Sequence, residues 1–263
     1  VMKIIVCIKQ VPATSQVEID PESGTLKRMG AESKTNPYDL FAIESALRIK
    51  EMLGGTVTAV TMGPPQAEAM MKDAFSMGVD EGVILSDKKF AGSDVLATSY
   101  TLSQGITALG GADIIICGKQ TTDGDTAQIG PAIAEHLHIP HAAWVSEITY
   151  IDNEKIAVRQ DLSEVTQVSE MEYPCLITVD KDIVVPRLPS YRLMKEVKDK
   201  KVRYLSFEDM PDKDLSRYGL IGSPTVVERI FPPDKMEEQV YIKGDASEKA
   251  KGLYNILKAK KFV

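Results

Sequence analysis

The stretch Ile114-Ile115-Ile116-Cys117-Gly118-Lys119-Gln120-Thr121-Thr122-Asp123-Gly124-Asp125-Thr126-Ala127-Gln128-Ile129-Gly130-Pro131 constrains the fold more than any other. An apolar run ends at Gly118, a polar loop of small residues follows, and an amphipathic run from near Thr126 leads into Ala132-Ile133-Ala134-Glu135-His136-Leu137. That order predicts a buried strand, a tight loop and a helix. In an open parallel sheet, ligands sit in the loops beyond the carboxyl ends of the strands. The first N–H groups of a helix starting there face an anion or a polar ligand edge. Gly118, Gly124 and Gly130 are expected to allow close backbone approach or positive φ. An ordinary connecting loop with an Asp or Thr cap fits the same composition.

Standard phosphate motifs are absent. Gly118-Lys119 lacks the earlier glycine and the following Ser or Thr of a Walker A loop, and no G-x-G-x-x-G follows the first strand. Asp123 and Asp125 would repel a phosphate. One is expected to cap the helix and the other to meet ribose hydroxyls or backbone N–H groups. Two carboxylates without a third ligand are weak grounds for a metal.

The same pattern recurs along the chain. Residues 3–8 form a continuous apolar run, as in a strand buried on both faces. Residues 17–30, punctuated by Pro21, Gly24 and Gly30, read as an exposed hairpin. Asn36-Pro37-Tyr38-Asp39 predicts a helix start with Asn as cap, running to Leu53 and stopping at Gly54-Gly55. Strands are expected over 56–62, 82–86 and 141–151, and helices over 66–77 and 93–109. This alternation predicts an α/β fold: an open, mostly parallel doubly wound sheet of the nucleotide-binding, flavodoxin or Rossmann-like kind. A β-hairpin is expected over 155–159 and 164–168, turning at 161–163, with one more strand over 174–179. Residues 1–224 are expected to form the α/β domain. Residues 225–263 read as an arm ending in a helix that starts near Asp245, with Glu248 completing a capping box.

Composition narrows the function. With 263 residues, 43% of them hydrophobic, the chain can build one large α/β core. A net charge of −7 argues against nucleic acid as a partner. No signal peptide or membrane span is evident, and three scattered cysteines suit a reducing cytoplasm. His136 and His138 would point about 200° apart on a helix, so they do not converge on a metal. No G-x-S-x-G elbow and no Cys–His pair appears. Several strand-end loops and no nucleophile point to a protein that holds a reactive cofactor.

The segment Cys117 to Asp125, with Gln128 and Gly130, resembles the nucleotide loop of electron transfer flavoprotein beta subunits. The segments 8–12, 35–37, 62–64, 74–78 and 185–189 match in order, so the resemblance spans about residues 2–225. It implies a larger alpha subunit carrying one FAD, and a nucleotide in this subunit: AMP in most members, a second FAD in the electron-bifurcating ones. It implies nucleotide contacts from Cys7, Lys9, Val11, Pro12, Asn36, Asp39, Met62, Gly63, Asp94, Val95, Thr98 and Gly118. The loop Gln120, Thr121, Thr122, Asp123, Gly124, Asp125, Thr126, Ala127, Gln128, Ile129 and Gly130 completes the expected site.

Residues 9–14 and 90–99 resemble the bifurcating group, although Val95 stands where that group's Asp-Thr-x-Ala-Thr pattern has Thr. The resemblance then implies FAD here, NADH as hydride donor, and ferredoxin or flavodoxin as a second acceptor. The run 186–195 resembles the loop that docks an acyl-CoA dehydrogenase, here of the butyryl-CoA type. Leu188, Tyr191, Leu193, Met194 and Lys195 are its candidate contacts, within a basic stretch from Arg187 to Arg203. The C-terminal arm would wrap the alpha subunit. An adenine-nucleotide hydrolase or ligase on the same fold is the other class, but its Ser-Gly-Gly-x-Asp-Ser loop is missing after the first strand.

Overall fold

A strand covered on both faces has no solvent side, so its residues are apolar throughout rather than alternately. This holds for the interiors of β1 (Lys3–Cys7), β5 (Glu81–Leu85) and β6 (Ile114–Gly118), while β4 (Thr56–Met62) and β10 (Cys175–Val179) admit threonines among their apolar residues. The computed structural model describes residues 1–13, 33–197, 200–228 and 241–263. The hairpin expected over 17–30 lies outside the described residues.

Within 1–227, one compact unit, nine strands form one sheet in the order β11-β5-β4-β1-β6-β10-β7-β8-β9. Here β7 is His141–Ile151, β8 Lys155–Leu162, β9 Val165–Glu172 and β11 Arg203–Leu205. Pairing is parallel from β11 to β7, and β7, β8 and β9 pair antiparallel. The open, doubly wound α/β sheet is therefore as expected. A short antiparallel pair joins β2 (Gln10–Pro12) to β3 (Ser33–Thr35). The hairpin strands run further than the sequence indicates, so the turn sits at Ser163–Glu164 rather than 161–163.

The side chains of Ile4 and Val6 face α1 (Pro37–Leu53) and α2 (Glu68–Met77). Those of Ile5 and Cys7 face α3 (Val95–Ala108) and α4 (Ile129–Leu137). The chain moves outward from β1 through β4 to β5, then returns to place β6 on the other side of β1. With crossovers of constant hand, that reversal puts the two helix pairs on opposite faces and opens a crevice between β1 and β6. Strand β10 inserts between β6 and β7 only after the hairpin is complete.

Residues 228–263 form a second unit. Its helix α6 (Ala246–Ala259) starts with the expected reciprocal box: Asp245 Oδ1 accepts from the Glu248 N–H, and Glu248 Oε2 from the Asp245 N–H, both at 2.9 Å. No helix among the described residues is long and apolar enough to cross a membrane.

One ion pair ties the first helix to the segment after β10. Glu44, on α1, is 2% exposed and accepts from Arg187 Nε at 2.7 Å, from the Arg187 backbone N–H at 3.1 Å and from Arg48 Nε at 3.0 Å. Burial pushes its carboxyl up, but the hydrogen bonds from Arg187 and Arg48 outweigh burial and hold it below the ordinary glutamate range. A carboxylate held low contributes stability that is present above its unfolded value and lost as pH falls through the folded one. Glu44→Gln, which loses the charge-assisted part of these hydrogen bonds, is therefore expected to cost about 2 kcal/mol at pH 7. The gap to the parent should narrow below pH 4 in paired urea melts, and a gap that stays constant with pH would refute the charge-based account.

Candidate functional site

The carboxyl ends of β1, β4 and β6 and the starts of α3 and α4 enclose a cleft of about 390 Å³. Cys7 and Lys9 enter it from β1 and its exit, Asp39 from the first turn of α1, and Met62 from β4. Asp94, Val95 and Thr98 come from the start of α3. Gly118, Gln120, Thr121, Gly124, Thr126, Ala127, Gln128, Ile129 and Gly130 come from the end of β6, its loop and α4. Ile8, Thr61, Ser93, Leu102, Cys117 and Lys119 line it as well. Their signal was position, since each sits at or beside a strand end or the first turns of α3. Val11, Pro12, Asn36, Gly63, Thr122, Asp123 and Asp125 do not line the cleft.

Asn36 does not cap α1 with its side chain. Its Nδ2 donates instead to Asp39 Oδ1 and to the Gln120 carbonyl, both at 2.9 Å, and its Oδ1 accepts from the Thr122 N–H at 3.2 Å. Asp39 Oδ2 accepts from the Lys9 N–H at 2.7 Å. Two side chains thus join the end of β1, the start of α1 and the loop after β6. Gly118 makes this possible, because a Cβ there would lie 2.4 Å from Asp39 Oδ1.

The acidic loop also departs from expectation. Neither aspartate caps α4: its N-cap is Gln128, which makes no side-chain cap bond. Asp123 pairs with Lys9 Nζ at 2.6 Å, and Asp125 accepts from Gln120 Nε2. Both carboxylates are directed at neighbouring side chains, so neither needs to repel an anion at the helix. Gly118, Gly124 and Gly130 do not supply positive φ; Asp125 (52°) and Ala127 (54°) do. Gly130 serves close approach, since its Cβ would fall 2.3 Å from Thr178 Cγ2 on β10.

The two helix starts differ. At α3, Asp94 Oδ1 accepts from the Ala97 N–H at 3.0 Å, and Oδ2 from Thr225 N–H at 3.0 Å and its hydroxyl at 2.7 Å. That end is occupied by a carboxylate. The α4 end has no such cap, so its first N–H groups and its dipole are left to an outside anion. Lys119, at the rim, pairs with Asp180 at 2.8 Å and stands 4.9 Å over the Trp144 ring.

The histidines build no metal centre. His136 packs edge-on against Tyr100, 5.2 Å between ring centroids, and burial holds its imidazole below the usual range. His138 ends α4 in the left-handed region. Among the described residues no group of three or more His, Cys, Asp or Glu could hold a metal ion.

The segment expected to dock a partner includes the short helix α5 (Tyr191–Glu196), where Ser190 Oγ accepts from the Leu193 N–H at 3.4 Å. Leu188, Tyr191 and Met194 are exposed, at 87%, 73% and 53%. Leu193 is half-buried. Lys195 Nζ stands 4.7 Å over the Tyr191 ring. The basic stretch is not uniformly free: Arg187 is committed to Glu44 and Glu51, and Lys200 Nζ donates to the Val79 and Asp80 carbonyls. Lys198 lies outside the described residues.

Fold and site together define a doubly wound α/β protein with a strand-end cleft at the reversal of its sheet and one uncapped helix start facing into it. Residues 23–210 match the electron transfer flavoprotein domain. The chain is 44% identical over 228 residues to the electron transfer flavoprotein subunit beta of Clostridium acetobutylicum, covering 87% of each chain. It is 41% identical to protein FixA of Sinorhizobium fredii, over 95% of this chain and 89% of that one. It is also 41% identical to the acryloyl-CoA reductase electron transfer subunit gamma of Anaerotignum propionicum, over 98% of this chain and 99% of that one. The chain belongs to the electron transfer flavoprotein beta-subunit family.

Asp39 offers a test of the cleft's construction. Burial pushes its carboxyl up to about 7 from 3.8, against the hydrogen bonds and the Lys9 charge that pull it down. A carboxyl raised on folding favours the protonated form, so the folded protein binds the extra proton and stability falls as pH rises from about 4 to about 7. Asp39→Asn cannot titrate. Between pH 4.5 and 7.5 the parent should therefore lose about 3 kcal/mol relative to this variant in denaturant melts. Parallel pH profiles for the two proteins would contradict a buried titrating carboxyl.

Proposed function

We propose that this chain is the nucleotide-carrying subunit of a heterodimeric electron transfer flavoprotein of the bifurcating kind, with FAD in the cleft between β1 and β6. The observation that carries this reading is the reach of the cleft across two helix starts, at α3 and α4. A diphosphate needs more anchoring length than the single phosphate of AMP. The residues fit such a group. The uncapped α4 start offers N–H groups at Ile129 and Gly130 to a phosphate, and Ser93 and Thr98 bring hydroxyls from α3. Met62, Leu102 and Ile129 supply apolar surface, and Asp39 with Asn36 holds the loop that closes over it. A flavin bound there supplies the exchange of a hydride from NADH for single electrons. The chain's own residues bind, orient and shield it.

The larger alpha subunit would carry the second FAD and be wrapped by the arm, residues 225–263. Of each electron pair taken up in this subunit, one electron would pass through the alpha-subunit FAD to an acyl-CoA dehydrogenase of the butyryl-CoA type, and the other to ferredoxin or flavodoxin. The Anaerotignum relative is an electron transfer subunit of an acryloyl-CoA reductase, which favours an acyl-CoA oxidoreductase as partner. The second reading is a structural AMP. It draws on Asp94, whose carboxylate already occupies the α3 start and would sit close to a diphosphate. Acid release and chromatography of nucleotides from the purified heterodimer should yield two FAD. One FAD with one AMP would reject the bifurcating reading and leave the family standing.

Docking gives a separate expectation. An apolar anchor buried in a partner pocket costs about 2 kcal/mol or more when truncated, about 30-fold in Kd. Leu188→Ala with Tyr191→Ala, both exposed, should weaken dehydrogenase capture at least that much while flavin content stays unchanged. Unchanged affinity in surface-capture measurements would remove this segment from the interface.

A further inference from the structure

Two cysteines meet on the floor of the cleft. Cys7 ends β1 and Cys117 lies beside it on β6, the two being register partners in a parallel pair. Both side chains point to the α3–α4 side of the sheet, and both line the cleft. They are 7% and 5% exposed, whereas the third cysteine, Cys175 on β10, is 0% exposed and in register with Ile114. The Cys7 side chain is thus the immediate neighbour of Cys117 on the sheet. The Cys7 thiol beside it, with burial, pushes the Cys117 thiol well above its ordinary range. Both sulfurs therefore stand side by side at the end of an open cavity.

Such a pair selects its reagent. A zinc ion needs three or four protein ligands, and no set of that size occurs among the described residues. A trivalent organic arsenical needs only two sulfurs, because it brings its own third substituent. We propose that Cys7 and Cys117 form an adjacent dithiol site that captures trivalent arsenicals, and that a nucleotide in the cleft shields it.

The capture balances without an oxidant. Two arsenic–sulfur bonds form, both arsenic–oxygen bonds of the arsine oxide break, and the two thiol protons leave with the oxygen as water. Arsenic stays trivalent. The second bond closes within one site, so the pair holds the arsenical far more tightly than one thiol can. Cys175 has no partner thiol in register and no opening to the cleft, which makes it the internal control.

The shielding half rests on the proposed nucleotide site; the dithiol half does not, so the two can fail separately. The purified heterodimer, with its nucleotides in place and after their removal, is treated with phenylarsine oxide, and the intact mass of this chain is read after gel filtration. The nucleotide-free protein should retain one arsenical, released by 2,3-dimercaptopropanol. Cys7→Ala and Cys117→Ala should each bind about 100-fold more weakly, and Cys175→Ala as the parent does. Serine at the same positions serves if alanine unfolds the chain. Free FAD or AMP at ten times its Kd should slow capture about tenfold. Capture that survives loss of either cysteine, or that depends on Cys175, overturns the dithiol site. Capture at an unchanged rate with nucleotide bound overturns the shielding and puts the nucleotide elsewhere.

Discussion

The carboxylate of Asp39 is the point on which the cleft depends. It is buried, and a buried carboxylate is costly unless its oxygens are hydrogen-bonded. Here the donors come from different parts of the chain: the Lys9 N–H after β1 and the Asn36 amide before α1. The Asn36 amide is in turn saturated by Gln120 and Thr122. Partly satisfied networks of this kind are worse than none, so the segments lock together or not at all. The loop after β6 therefore owes its shape to an asparagine and an aspartate more than 80 residues earlier in the chain.

Around that floor the two helix starts divide the work. The α3 start is closed by the protein's own carboxylate, with the 223–225 segment fastened to it: Ser223 Oγ accepts from the Asp94 N–H at 2.8 Å, and Thr225 donates to the Asp94 side chain. The α4 start is left open. Both face one cleft because the sheet reverses its winding at β1, which brings α3 and α4 to the same face. Shape is supplied by the closed end and anion affinity by the open one.

The basic stretch after β10 shows how tertiary structure sorts similar charges. Arg187 and Lys200 spend their donors inward, on Glu44 and on backbone carbonyls. Lys195 remains at the surface against Tyr191. What is left facing outward is a short apolar ridge, Leu188, Tyr191 and Met194, framed by a few charges. That is the usual anatomy of an interface anchor and rim.

The sequence by itself determined the long strands and helices and the loop that bears the candidate site, but not the β2–β3 pair, α5 or the edge strand β11. Strands buried on both faces must be apolar throughout, and Pro37, the glycine stops and the Asp245–Glu248 box mark helix ends by local chemistry. These are short-range effects, visible in neighbouring residues. Only the tertiary structure decided that β10 inserts between β6 and β7, that Asn36 clamps a distant loop instead of capping its helix, and that Asp123 turns to Lys9. It also placed the left-handed backbone on Asp125 and Ala127 rather than on a glycine. Each of these depends on which distant group supplies a hydrogen bond or fills a space. Once the chain is folded, leaving a buried donor or acceptor unpaired costs more than a local preference is worth.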